Sequence, residues 1–203
     1  MVVSAATVQP ARGALVTVGA TGVRESLTFQ FNPESVRRTY QPNVVGGGTG
    51  ARSVAVRFAA AATESITLQC FLSSLQPSGA APYGVAPQLA ALTTMLNPPT
   101  SQVAQAEQAL ATGTIEVAPP LAPLLLFVWG GRPAVPVQLT GVDVTEQLFD
   151  TDLWPVRATA DLSMRALTYS DVAAASPAFA QSLVNQREIE RLAAAAFTPG
   201  GGW

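Results

Sequence analysis

The sequence predicts one α+β domain rich in antiparallel strand, on three observations. Apolar and polar residues alternate with a period of two in several separate stretches, the pattern of half-buried strands. The two longest of these stretches flank a short Asp-rich turn, which makes an extended hairpin. Helical spacing is confined to a few short segments, and the 203 residues contain neither an internal repeat nor a second domain boundary.

In chain order, the first strand signal puts Leu27, Phe29 and Phe31 on one face and Ser26, Thr28 and Gln30 on the other. The run from Gln41 to Arg52, QPNVVGGGTGAR, reads as a mobile loop. Ile66, Leu68 and Cys70 then alternate with Ser65, Thr67 and Gln69. Tyr83 to Leu96 has helical spacing at Leu89, Leu92 and Leu96 and is stopped by Asn97, Pro98 and Pro99; Ser101 to Ala111 reads as a second short helix. The most apolar run, Leu121 to Trp129, is interrupted by Pro123 and is less than half the roughly 20 residues of a membrane span, so it reads as a buried strand.

Val135 to Leu148 and Pro155 to Leu167 form the hairpin around Asp150, Thr151 and Asp152. The apolar phase set by Val135, Val137 and Leu139 resumes at Val142 and Val144, and this slip of one residue at Thr140 and Gly141 signals a β-bulge. In the second arm Val156, Ala158, Ala160, Leu162, Met164 and Ala166 alternate with Arg157, Thr159, Asp161, Ser163 and Arg165, giving one small apolar face and one polar, charge-balanced face. Ser176 before Pro177 is an N-cap and first-turn pair, opening a helix with a stripe of Phe179, Leu183, Ile189, Leu192, Ala193 and Ala196, followed by the flexible tail PGGGW.

Composition narrows the function. Charged residues make up 12% of the chain, about half the usual ~25%, which favours a surface that meets other protein. The chain has no histidine, and all 11 of its basic residues are arginine. Ser-His-Asp, Cys-His and most metallohydrolase chemistry is thereby removed, together with Schiff-base catalysis and the lysine of a phosphate loop. A net charge of -2, with only Arg37 and Arg38 adjacent among the arginines, leaves no footprint for nucleic acid. Cys70 forms no internal bridge and falls on an apolar strand face, the place of a small core residue.

The glycines at 46, 47, 48 and 50 fit neither the dinucleotide nor the P-loop spacing, because Ala51 stands where each pattern needs its next residue. Asp143, Glu146, Asp150, Asp152 and Asp161 match no calcium loop and read as turn and strand-surface residues. Trp129 and Trp154 read as packing residues at strand ends.

One string exceeds its local account. FQFNPESVRRTY, from Phe29 to Tyr40, resembles the FNP-containing opening of the contractile injection system tube-type proteins, which in phage-tail-like particles join the inner tube to the baseplate hub. ESITLQCFL at Glu64 to Leu72, then LLLFVWG, VQLTGVDVTEQLFD and PVRATADLSMRALTYSD in the stretch Pro120 to Asp171, follow in the order of the same family. The resemblance spans most of Leu27 to Asp171.

It implies a tail-tube-like fold: a mainly antiparallel curled sheet, barrel or sandwich with a packed helix and a C-terminal helix, divided as a β domain over residues 1–175 and a helix with a flexible tail over 176–203. It also implies a ring, sixfold, at the base of the inner tube, with the inner tube protein and the spike, hub and baseplate proteins as partners. No enzyme activity, cofactor, metal, nucleic acid or membrane is expected. Family members often carry a C-terminal peptidoglycan-binding LysM module; the chain stops at Trp203 after its helix, so direct peptidoglycan binding is not expected. The N-terminus lacks the basic region and apolar core of a secretory signal, so cytoplasmic synthesis is expected, followed by incorporation into a particle that stays in the cytoplasm or is released by lysis.

In this reading the two hairpin arms line the ring, with Arg157, Asp161 and Arg165 toward the lumen or a neighbour, and proline at positions 161 and 163 would block assembly. Phe31, Asn32, Pro33 and Arg37 form a structural corner, with contact to a neighbour second. The loop from Gln41 and the tail from Ser176 order on assembly. The alternatives are the inner tube subunit proper, a monomeric β-rich binding domain, and a hydrolase using the hairpin carboxylates.

Overall fold

Alternation along the two longest strands decides the architecture, because a strand with one apolar face must cover that face. A computed structural model describes residues 12–19, 22–46, 55–75, 82–111 and 123–196. The strands are β1 (Gly13–Gly19), β2 (Gly22–Thr28), β3 (Val36–Gln41), β4 (Val44–Val45), β5 (Arg57–Phe58), β6 (Thr63–Ser73), β7 (Leu124–Trp129), β8 (Val135–Phe149) and β9 (Pro155–Ala166). The helices are α1 (Ala86–Thr94), α2 (Thr100–Ala111) and α3 (Pro177–Ala196). Seven strands form one antiparallel sheet in the order β2-β1-β7-β8-β9-β6-β3, and β4 and β5 pair separately.

The expected α+β fold with a mainly antiparallel sheet is the observed one. Among the described residues the sheet stays open, with β2 and β3 as its edges, so it is neither a closed barrel nor a two-sheet sandwich. Curling fills the concave face: Leu15, Phe29, Ile66, Leu68, Leu125, Phe127, Val137, Leu162 and Met164 form one buried cluster with Leu92 and Met95 from α1 and its C-cap. Phe127 anchors it, with Phe29 at 6.5 Å and Trp129 stacked at 5.8 Å between ring centroids.

The bulge falls where the phase slip put it, between Leu139 paired with Met164 and Gly141 paired with Ser163. Three expectations shift. The first helix begins at Ala86 rather than Tyr83, because Tyr83 and Gly84 both have positive φ, 67° and 58°, which no right-handed helix contains. The supposed loop from Gln41 begins as a small hairpin, with Val44 paired to Phe58 and Val45 to Arg57, while its residues 47–54 lie outside the described residues. In α3 the buried residues are Ala178 and Ser182, and Ile189 and Leu192 are largely exposed, so the sequence stripe is only partly used. Ser176 does cap this helix, its Oγ accepting from the Phe179 N–H at 3.2 Å, and the Gln181 amide donates to the Ala134 carbonyl at 2.8 Å to tie the helix to the start of β8. The glycine-rich tail after it and the N-terminal stretch lie outside the described residues.

Candidate assembly surface

The polar phase of each strand in the β8-β9-β6-β3 half of the sheet points to the convex face. Register makes it a continuous grid. Arg37 lies opposite Thr67, which lies opposite Ser163, which lies opposite Gly141; Gln69 lies opposite Asp161, which lies opposite Asp143. Arg37, Arg157, Asp161 and Arg165 therefore share one face.

Their partners differ. The Gln69 amide donates to Asp161 at 2.9 Å. Arg165 donates to Asp171 at 3.0 Å. Burial pushes the Asp171 carboxyl up, but the two hydrogen bonds from Thr168 and the charge of Arg165 outweigh it and hold the group below the usual carboxylate value. The Arg157 guanidinium lies 5.4 Å from the Phe71 ring centroid, a cation–π distance. Arg37 is exposed, and its guanidinium has neither a hydrogen bond nor an ion pair among the described residues.

The corner is built from consecutive side chains with different tasks. The Phe29 N–H donates to the Gly13 carbonyl at 2.9 Å and Asn32 Oδ1 accepts from the Gly13 N–H at 3.0 Å, so the segment clasps the start of β1. Between them the Gln30 side chain takes both backbone groups of Ser73 at the end of β6, its Nε2 donating to the carbonyl at 2.7 Å and its Oε1 accepting from the N–H at 2.9 Å. This is a side-chain substitute for a strand pair, and it stitches the end of β2 to the far side of the curled sheet. The crossing also moves Phe31 off the apolar face on which alternation had put it: the ring is 50% exposed and sits 5.8 Å from Phe71 on the convex face. Pro33 lines a cleft beside it with Glu34, Ser35 and Gln69.

Two features escape the sequence. The first is an ion pair on the core side, where Glu64 is buried and accepts from Arg38 at 2.6 Å and from the Tyr40 hydroxyl at 3.1 Å. Burial, followed by the Glu64 charge, raises the Tyr40 pKa. Only the doublet Arg37-Arg38, one residue for each face, hinted at it. The second is the length of unpaired edge. β7 ends against Val137, so among the described residues β8 from Leu139 to Phe149 has β9 on one side and no strand on the other. Beyond the bulge this arm is partly or fully exposed on both faces.

At its end the turn is held by Asp150, whose Oδ1 accepts from the N–H groups of Asp152 at 2.9 Å and Trp154 at 2.8 Å. Leu148 and Leu153 flank it with positive φ, and Leu153 is 77% exposed. Trp154 packs edge-on against Tyr83, and Trp129 stacks on Phe127, so both tryptophans pack at strand ends. β9, by contrast, is paired on both sides, so proline at positions 161 and 163 would break the fold itself and says nothing about assembly.

Among the described residues there is no group of three or more Cys, Asp or Glu placed to hold a metal ion, and no helix is long and apolar enough to cross a membrane. The family profile of contractile injection system tube proteins matches residues 17–175. A chain in the tail of an empty gene transfer agent particle, refined with C6 symmetry, is similar at 14% identity and a TM-score of 0.34, over 76% of this chain and 90% of that one. A chain in the virion of the native gene transfer agent particle is similar at 13% identity and a TM-score of 0.32, over the same shares. No curated protein matches the sequence.

Proposed function

The chain belongs to the contractile injection system tube proteins, and from that premise we propose that it forms a ring at the base of the inner tube of a phage-tail-like particle, connecting the tube to the spike and baseplate. Its work is structural and done by interfaces. The ring consists of copies of this chain, sixfold as the family resemblance implies, and it contacts the inner tube protein on one side and hub or baseplate proteins on the other.

The observation that carries this reading is the edge of β8 from Leu139 to Phe149, which has no strand beside it among the described residues. A long strand edge with free N–H and C=O groups invites addition of another strand, and soluble monomers normally guard such edges with lysine, which this chain lacks. Low surface charge and an all-arginine basic set agree with it, since arginine is enriched and lysine depleted in interfaces. Arg157, Asp161 and Arg165 face the lumen or a neighbour, and Phe31, Asn32 and Pro33 hold the corner, with a neighbour contact second. Residues 1–175 act as the ring-forming unit and 176–203 as an arm that docks on the next layer.

The test is to sediment phage-tail-like particles from a lysate and to quantify this chain against sheath and tube proteins by mass spectrometry. A few copies per particle support the basal ring. Stoichiometry near that of the sheath makes the chain the tube subunit itself, and absence from the particles overturns the reading.

A further inference from the structure

We propose that the ring closes by antiparallel pairing of edge strand β3 of one copy with the distal part of β8 of the next, with Arg37 seated against Asp143 as the charge contact that sets the register. This rests on the ring reading above and names the two surfaces that make it.

Strand direction comes first. β8, β9, β6 and β3 are neighbours in that order and every pair is antiparallel, so β8 and β3 run in opposite directions. A second copy placed beside the first by rotation alone, without turning over, brings its β8 alongside β3 in the antiparallel sense that the rest of the sheet uses. The contact is head-to-tail, joining two different surfaces, which is the kind that closes into rings.

Facing residues then fix the register. Arg37 lies on the convex face of β3, in line with Thr67 and Ser163; Asp143 lies on the same face of β8, in line with Asp161 and Gln69. Seating Arg37 opposite Asp143 puts Val36 opposite Val144, an exposed valine on the other face, and Thr39 opposite Gly141. Apolar thus meets apolar, and threonine meets the residue with no side chain.

Charge supplies the specificity. Asp143 and Asp161 are directly opposed on adjacent strands, an unfavourable pairing of like charges that the single amide of Gln69 only partly offsets. The Asp143 carboxylate has neither a hydrogen bond nor an ion pair among the described residues, and the same is true of the Arg37 guanidinium; both side chains are exposed. A guanidinium from the open side of β8 would relieve the repulsion and satisfy both groups. Arg38 cannot substitute, because it is committed to Glu64 on the core side.

The test is charge exchange in the full chain, with ring formation followed by native mass spectrometry and sedimentation velocity. Arg37→Asp and Asp143→Arg are each expected to raise the concentration needed for half-assembly at least tenfold, and the double exchange R37D/D143R to restore it. Single variants that assemble like the wild type, or a double exchange that fails to recover, overturn the Arg37–Asp143 contact and leave the ring reading standing. A wild-type chain that stays monomeric and is absent from particles overturns both. Should a single reversal disturb folding, the pair R37C/D143C decides instead: oxidation should give a ladder of cross-linked multimers on a denaturing gel, and its absence in assembled rings refutes the pairing.

Discussion

Replacing Gln30 with alanine removes the stitch that joins the end of β2 to the end of β6. Two hydrogen bonds are lost, at 2.7 and 2.9 Å, and the N–H and C=O of Ser73, a buried residue, lose the partner that Gln30 gave them. At about 1 kcal/mol net per bond, with a further penalty for the stranded groups, the expected cost is about 2–3 kcal/mol. For a domain of this size that is a fall in Tm of about 5–10 °C. Guanidinium unfolding followed by tryptophan fluorescence measures it directly.

Gln30→Glu sharpens the test, since a carboxylate can accept from the Ser73 N–H but has nothing to donate to the carbonyl. Only its protonated form reproduces both bonds, so its folded pKa is raised. The stability contributed by that proton is fully present below the unfolded carboxyl value of about 4.3 and is lost as pH rises through the folded one. A loss below about 0.5 kcal/mol for the alanine variant, or a Gln30→Glu variant whose stability relative to wild type is insensitive to acid, would refute the role assigned to this amide.

Gly84→Ala should be among the most damaging single-methyl additions: the residue has φ of 58°, and a Cβ there would overlap the Pro155 carbonyl oxygen that accepts from the Val85 N–H at 2.8 Å. A loss of about 2–4 kcal/mol is expected in chemical denaturation, from left-handed strain plus a displaced α1 start. Cys70 should resist thiol reagents in the folded protein at pH 8 and react at once in denaturant, because burial, and after it the charge of Asp161, pushes the thiol up to about 12. The same shift makes stability fall as pH rises from 9.0 toward about 12, where the unfolded thiol ionises and the folded one does not. Leu153→Gly should leave the fold intact and raise stability by up to about 1 kcal/mol, since it relieves a positive-φ leucine that is 77% exposed; thermal melts that show a clear loss would mean that Leu153 packs on something.

Wherever a side chain's task is set by its immediate neighbours in sequence, that task was legible. The β9 alternation, the bulge at Thr140 and Gly141, the Asp150 turn and the Ser176 cap all depend on contacts a few residues long or on a period of two. Phe31 was not legible, because its face depends on Gln30 reaching a strand 43 residues away. The stripe of α3 misled for a related reason: spacing shows which residues share a helix side, while the sheet beneath it decides which part of that side is covered.

The sequence by itself determined the antiparallel character of this protein, its hairpin, its lack of histidine and lysine chemistry, and the strings that tie it to the tube proteins. Each of these is carried by residue identity and local period. Tertiary structure alone decided that the sheet remains open among the described residues, that Gln30 and Asn32 clasp two distant strands, and that Glu64 is buried against Arg38. It also decided that, among the described residues, β7 stops short along β8 and no strand lies beside the edge from Leu139 to Phe149. Which strand lies beside which, and for how many residues, follows from packing over long sequence separations, where no local pattern carries the information.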